Sequence, residues 1–307
     1  MHTIGIDIGG THICAGRVDE RGSIVARAEC ATPPEGAEAV AAEVARLCVA
    51  LAADFPVDAV GVGVAGMVDQ HGDTVHLAPN LGWRSVPLRA LLSDRVAWPV
   101  VVLNDANAAG WAEFTVGAGR GKADALMVTV GTGIGGAVLA GGKLVLGAFG
   151  SAAELGHFRL VPDGRECGCG ARGCVEQYAS GTAVLRGAAL HPDLRGLSIE
   201  QLERRAGAGD AAVTSLIAEA GTALGTACAS IAVVTDPECI IVGGGLSRAG
   251  DVLLEPMRAA FRRARPGGAD RPAVSIVRAE WGNDAGMLGA ALYARGGTHA
   301  QYSGETL

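Results

Sequence analysis

The chain has 307 residues, 49% hydrophobic and 19% charged, with 47 glycines and a net charge of -7. That length suits about two domains, each able to bury a core. The negative charge excludes a basic nucleic-acid surface, and no apolar run reaches the roughly 20 residues that span a bilayer. The opening MHTIGIDIGG has no basic segment before an apolar one and no small-residue cleavage site. A signal peptide is therefore not expected, and a cytoplasmic enzyme is.

Residues 3–30 read as three short strands, TIGIDIG, ICAGRVD and SIVARAEC, joined by GGTH and ERG turns and closed by Pro33 and Pro34. Val40, Val44, Leu47 and Leu51 then recur at the spacing of one helix face. AVGVGVAG (59–66) is a buried strand, Pro79 and Asn80 fall in a loop, and PVVVLND (99–105) is a second buried strand running into Asp105. This alternation implies an α/β protein with a largely parallel sheet covered on both faces. The second half repeats the pattern: ALMVTV (125–130), the turn GTGIGG and the strand AVLAGGKLV mirror residues 4–18. A long helix over about 210–234, the strand ECIIVGGG, a helix at 251–264, the strand AVSIVRA and a last helix from about 284 complete the chain. Residues 191–200 read as a loop joining helices, and GGTHAQYSGETL as a frayed tail. The expected domains are a small one over 1–109, with the tail 298–307, and a large one over 110–297.

GTGIGG at 131–136 fits G-x-G-x-x-G, but a dinucleotide fold requires a helix directly after it, and here a strand and turn follow. No G-x-x-x-x-G-K-[ST] occurs, which excludes a P-loop. What remains is a pair of glycine turns, Gly9-Gly10-Thr11 and Gly131-Thr132-Gly133, at equivalent positions in two halves. Either alone would serve as a plain hairpin turn. Two together favour consecutive N–H groups that cradle phosphate oxygens. Asp105 ends a buried strand, where open α/β sheets place their ligand crevice. Such a carboxylate is ionised at neutral pH and can accept a proton from an alcohol; it can equally cap the helix beginning ANAAGWAEF.

Between Glu154 and Glu176 lie His157, Cys167, Cys169 and Cys174. One imidazole and three thiolates make a closed tetrahedral set for a structural zinc ion, with no position left for a reacting water. The odd number of thiols and the C-x-C spacing disfavour disulfides. Cys14, Cys30, Cys48, Cys228 and Cys239 sit in apolar surroundings and read as reduced core thiols. A metal knot between Glu154 and Glu176 would hold two carboxylates rigidly, which suits a polyhydroxylated ligand; both also fit the description of surface glutamates.

With DIGGT at 7–11, LNDANAA at 103–109, GTGIGG at 131–136, ELGH at 154–157 and CGCGARGCVEQYASG at 167–181, the chain resembles the ROK family of sugar kinases. It is most similar to that family's bacterial, ATP-dependent glucokinases, from about residue 3 to about residue 295. The resemblance implies the actin-like ATPase fold of sugar kinases: two α/β domains closing over a cleft. It implies ATP, Mg2+ and a structural Zn2+, glucose phosphorylated at its 6-hydroxyl, and a homodimer or homotetramer with no nucleic-acid or membrane partner. By matching position Asp105 is the general base. Gly66, Asn80, Asn104, Asp105, Glu154, His157 and Glu176 match sugar-binding positions. Gly9, Gly10, Thr11, Gly131, Thr132 and Gly133 match the phosphate loops, and Asp7 the acid near magnesium. Gly243, Gly244 and Gly245 match the adenosine side, and His157, Cys167, Cys169 and Cys174 the zinc ligands. His12 stands where the family usually has Lys, and Ala137 where a third consecutive Gly is common; both are expected beside the phosphate loops. Alternatives are a kinase for mannose, fructose or N-acetylmannosamine, a polyphosphate donor, or a sugar sensor like the family's repressors. Those repressors carry a DNA-binding domain ahead of DIGGT, whereas six residues precede Asp7 here.

Overall fold

The β-branched apolar runs form the expected strands in a computed structural model that describes residues 2–53 and 55–297. In the first unit, β1 (Thr3–Ile8), β2 (His12–Val18) and β3 (Ile24–Ala31) form an antiparallel meander. Helix α1 (Ala37–Ala52) buries Val40, Val44, Leu47 and Leu51 on one face, as their spacing predicts. Strand β4 (Ala59–Val64) is buried along its whole length and pairs parallel with β1. A small sheet of β5 (Met67–Val68), β6 (Val75–Ala78) and β7 (Trp83–Val86) follows, with Pro79–Leu81 as a 3-10 turn. After α2 (Leu88–Ser93), β8 (Val100–Asn104) pairs parallel with β4 and leads directly into α3 (Asp105–Val116). The sheet order is β3-β2-β1-β4-β8.

The second unit holds a sheet of the same plan, β11-β10-β9-β12-β13. Its hairpin is β9 (Ala125–Val130) and β10 (Ile134–Ala140), with β11 (Lys143–Leu144) at the edge. The zinc-type segment follows, then α4 (Glu176–Ala179), α5 (Gly181–Ala188), α6 (Ile199–Gly207) and α7 (Ala211–Thr235). Helix α6 therefore begins inside the stretch expected to be loop, capped by Ser198. Strand β12 (Cys239–Gly243), helix α8 (Asp251–Ala264) and strand β13 (Ser275–Arg278) complete it, with β9, β12 and β13 parallel. At 25 residues α7 is long and apolar enough to cross a bilayer, contrary to the expectation from the sequence. Half of its apolar window is buried, with Ile217, Leu224 and Ala227 inside the unit and Gly221 and Gly225 against the backbone of α8.

The units comprise the described parts of Met1–Gly117, Leu144–Ala152 and Asn283–Leu307, and of Ala118–Lys143 and Ala153–Gly282. These compact units differ from the expected domains in two places. The break expected after residue 109 falls at Gly117, because α3 is one continuous helix through Val116 whose buried residues pack chiefly against the last helix of the same unit. The last helix, α9 (Ala285–Gly297), expected in the second domain, packs on the first. Gly5 on β1 and Gly61 on β4 lack the Cβ that would collide with the carbonyls of Met287 and Ala290, so α9 lies directly on the strands. Trp111 of α3 then meets Tyr293 edge-on at 5.6 Å. The tail 298–307 lies outside the described residues.

Candidate functional site

In the first unit the three parallel strands end in register, Ile8 beside Val64 and Val64 beside Asn104. Gly9, Gly66 and Asp105 emerge from that one edge, the carboxyl ends where α/β sheets bind ligands. Asn104, not Asp105, caps α3: its side-chain oxygen accepts from Asn107 N–H at 3.0 Å. Its Nδ2 donates to Gly66 O at 3.0 Å and to Asp105 Oδ1 at 2.9 Å. Both amide hydrogens of Asn104 are thus engaged by the protein. Asp105 Oδ1 also accepts from Ala106 N–H at 2.9 Å. The carboxylate is clamped at the first helical position, where the dipole favours negative charge.

Asp7 lies beside it. Burial, then the charge of Asp105, pushes Asp7 up to about 7. Its carboxyl rests against the first turn of α9, where a Cβ on Gly286 would collide with it. Two neighbouring carboxylates, one held near neutrality, form a donor set that fits a hard divalent cation. The Gly9–Thr11 turn is pinned by Thr32, whose hydroxyl donates to Gly9 O at 2.8 Å and whose N–H donates to Thr11 O at 2.9 Å. Gly10 abuts Asn80, which a Cβ there would crowd at 3.0 Å, and Thr11 and Asn80 are exposed. His12 places Nδ1 3.0 Å from Thr11 Oγ1. Ala137, by contrast, is fully buried in β10 opposite Met127. The expectation that it borders a phosphate loop is corrected: its methyl fills the sheet core.

In the second unit, His157, Cys167, Cys169 and Cys174 place their ligand atoms within 4.8 Å of one another. Cys167 Sγ lies 3.7 Å from His157 Nδ1, and Cys169 Sγ 3.7 Å from Cys174 Sγ. Tetrahedral bonds of zinc length put sulfurs about 3.8 Å apart, so the set fits Zn2+. All eight cysteines are free thiols. Gly170 and Gly173 have φ of 87° and 80°, and Gly173 N–H donates to Arg165 O at 2.8 Å, which turns the knot back on itself. Burial, then the adjacent thiols, pushes Cys174 up to about 12, a crowding that a bound dication reverses.

The knot brings the flanking carboxylates together. Burial raises Glu154, the His157 ring lowers it, and Glu176 raises it again. Glu176 Oε2 accepts from Ile134 N–H at 3.0 Å, directly after the 131–133 turn. Gly244, at φ 78°, lies against the Val130 carbonyl, which brings Gly243–Gly245 beside the same turn. Reading the sequence misses two further supports. Gly181 N–H donates to Gly131 O at 2.8 Å, and Thr182 Oγ1 donates to Thr132 O at 2.7 Å. The Ser-Gly-Thr run after the cysteines is a helix-start signal, Ser180 capping α5, that could have pointed there. Gly286 is missed as well, because nothing in WGNDAG marks it as a neighbour of Asp7.

A glucokinase of Streptomyces coelicolor is 42% identical over 311 residues, covering 95% of this chain and 97% of that protein. An N-acetylmannosamine kinase of Escherichia fergusonii is 36% identical, covering 96% and 99%. The ROK family glucokinase of Streptomyces griseus, solved in complex with glucose and AMPPNP, superposes with a TM-score of 0.87 at 43% identity over 97% of this chain and 100% of that one. The two repeated α/β units are those of the actin-like ATPase fold of sugar kinases. The ROK family profile matches residues 3–296. With its glycine turns, zinc-type knot and strand-end aspartate in place across that span, the chain belongs to the ROK family.

Proposed function

We propose that the chain is an ATP-dependent glucokinase that phosphorylates glucose at its 6-hydroxyl. The observation that carries this is Asp105, clamped by Asn104 at the C-terminal end of β8 in a chain 43% identical to a glucokinase solved with glucose and AMPPNP. Asp105 takes the proton of the 6-hydroxyl as that oxygen attacks the γ-phosphorus and the bond to ADP breaks. Asn104 holds Asp105 and the Gly66 carbonyl in place, so we assign it to positioning ahead of direct sugar binding. Asn80, Gly66, Glu154, His157 and Glu176 are the sugar contacts we propose.

The N–H groups of Gly10–Thr11 and Thr132–Gly133 donate to phosphate oxygens, while Gly9 N–H donates to His12 O at 3.0 Å and Gly131 N–H to Gly133 O at 2.9 Å and so shape the two turns; Gly243–Gly245 take the adenosine side. Mg2+, when bound with the nucleotide, neutralises charge on the phosphates, and Asp7 is the residue we assign to it. His157, Cys167, Cys169 and Cys174 would hold a structural zinc whose part is to fix Glu154 and Glu176. We place the protein in the cytoplasm as a homodimer or homotetramer on family resemblance. N-acetylmannosamine is the second reading, favoured by the relative that is 36% identical. An ADP-coupled assay over glucose, mannose, fructose and N-acetylmannosamine with ATP tests the assignment. Glucose should have the highest kcat/KM; a higher value for N-acetylmannosamine would replace the first reading with the second.

A further inference from the structure

The two oxygens of Glu176 face different demands. Oε2 accepts from Ile134 N–H at 3.0 Å. Gly133 stands so near that oxygen that any Cβ there would strike it. The other ties on this turn, from Gly181 and Thr182, reach its carbonyls. Glu176 instead fixes the N–H of Ile134, the residue that directly follows the turn assigned above to phosphate. The backbone on either side of it is held: Val175 N–H donates to Phe158 O at 2.9 Å, beside an Arg159–Cys174 β-bridge, and Ser180 N–H donates to Glu176 O at 3.2 Å. A rigid element thus presents one carboxylate to the glycine turn, beside Glu154.

We propose that Glu176 is a positioning residue for the nucleotide-phosphate turn as well as a sugar acceptor, so that glucose and nucleotide binding are coupled through this one carboxylate. The proposal rests on the assignment of turn 131–133 to ATP and of Glu176 to glucose. A sugar hydroxyl on Oε1 holds the carboxylate in the rotamer in which Oε2 meets Ile134. By linkage, a nucleotide that orders the turn holds the same carboxylate ready for sugar. The donor turn is then best ordered when an acceptor is present, which disfavours transfer to water.

Calorimetry on the full chain, with AMPPNP and Mg2+ in the absence and presence of glucose, tests this in wild type, Glu176→Ala and Glu176→Gln. In wild type, glucose should tighten AMPPNP by about fivefold or more. In Glu176→Ala the glucose-free AMPPNP affinity should fall about fivefold, the worth of one hydrogen bond, and the coupling should vanish. Glu176→Gln keeps an acceptor for Ile134, so it should restore AMPPNP affinity to within about twofold while still weakening glucose. Failure of Gln to restore it, with melting temperature or zinc content lowered alike in both variants, would make Glu176 merely structural and overturn the proposal. Unchanged AMPPNP affinity in Glu176→Ala would overturn it too. Weakened AMPPNP with unaltered glucose affinity would remove the sugar role and the coupling, and leave the turn role standing.

Discussion

Asp105 owes its place to the residue before it. The sequence marks LND as the end of a buried strand, but cannot divide the cap and the acid between two adjacent polar side chains. The backbone divides them: Asn104 is extended at φ -62° and ψ 146°, the conformation of a cap, while Asp105 is the first helical residue. Asn104→Ser keeps a capping oxygen and loses the amide donations to Asp105 and to Gly66 O, both at the half-buried strand ends. It should therefore lower stability by about 1–3 kcal/mol, the worth of two hydrogen bonds, and lower kcat about tenfold; denaturant melts and steady-state rates check the two effects. Asp7 gives a pH signature. Its folded pKa lies near 7, above the ordinary 3.8, so the folded state binds the extra proton between those values. Stability therefore falls as pH rises through that window, and the penalty is fully present above about pH 7. Asp7→Asn removes it and should raise the melting temperature of ligand-free protein at pH 8, with no gain at pH 4, while abolishing turnover. An equal gain at both pH values would contradict the burial account.

At the scale of elements, legibility followed periodicity. Strands β1 to β4, β8, β9 and β12 and helices α1, α7 and α8 stood out because each carries a long apolar pattern. The sheet β5-β6-β7 did not, since strands of two to four residues are too short to show alternation. Glycine was the harder letter to read. Gly131–Gly133 shapes a turn, whereas Gly5 and Gly61 admit a helix, and only the packing distinguishes them. Gly61→Ala drives a methyl into the Ala290 carbonyl and should cost about 1–3 kcal/mol, as overpacking does. Chemical denaturation measures it, and a neutral result would show that α9 can lift off β4 at no cost.

For the whole molecule, the duplicated sheet was visible as two strand–glycine turn–strand runs, and the zinc-type knot as four ligands in one short segment. Duplication hid which half the last helix serves, because α9 reaches a sheet formed by residues far back in the chain. The knot also predicts a molecular consequence. Cys169 is the exposed ligand, so Cys169→Ser should spare the core yet lower zinc content by elemental analysis and weaken glucose binding with it. Full glucose affinity in zinc-free protein would contradict a metal that holds Glu154 and Glu176. The central claim is that Asp105 removes the proton from the glucose 6-hydroxyl during transfer from ATP. Its most direct test is the rate of glucose 6-phosphate formation by wild type and Asp105→Asn, beside calorimetric glucose affinity. Asp105→Asn should lose about 10²–10⁴ in rate with affinity held within a few-fold; turnover within a few-fold of wild type would contradict a general base at Asp105.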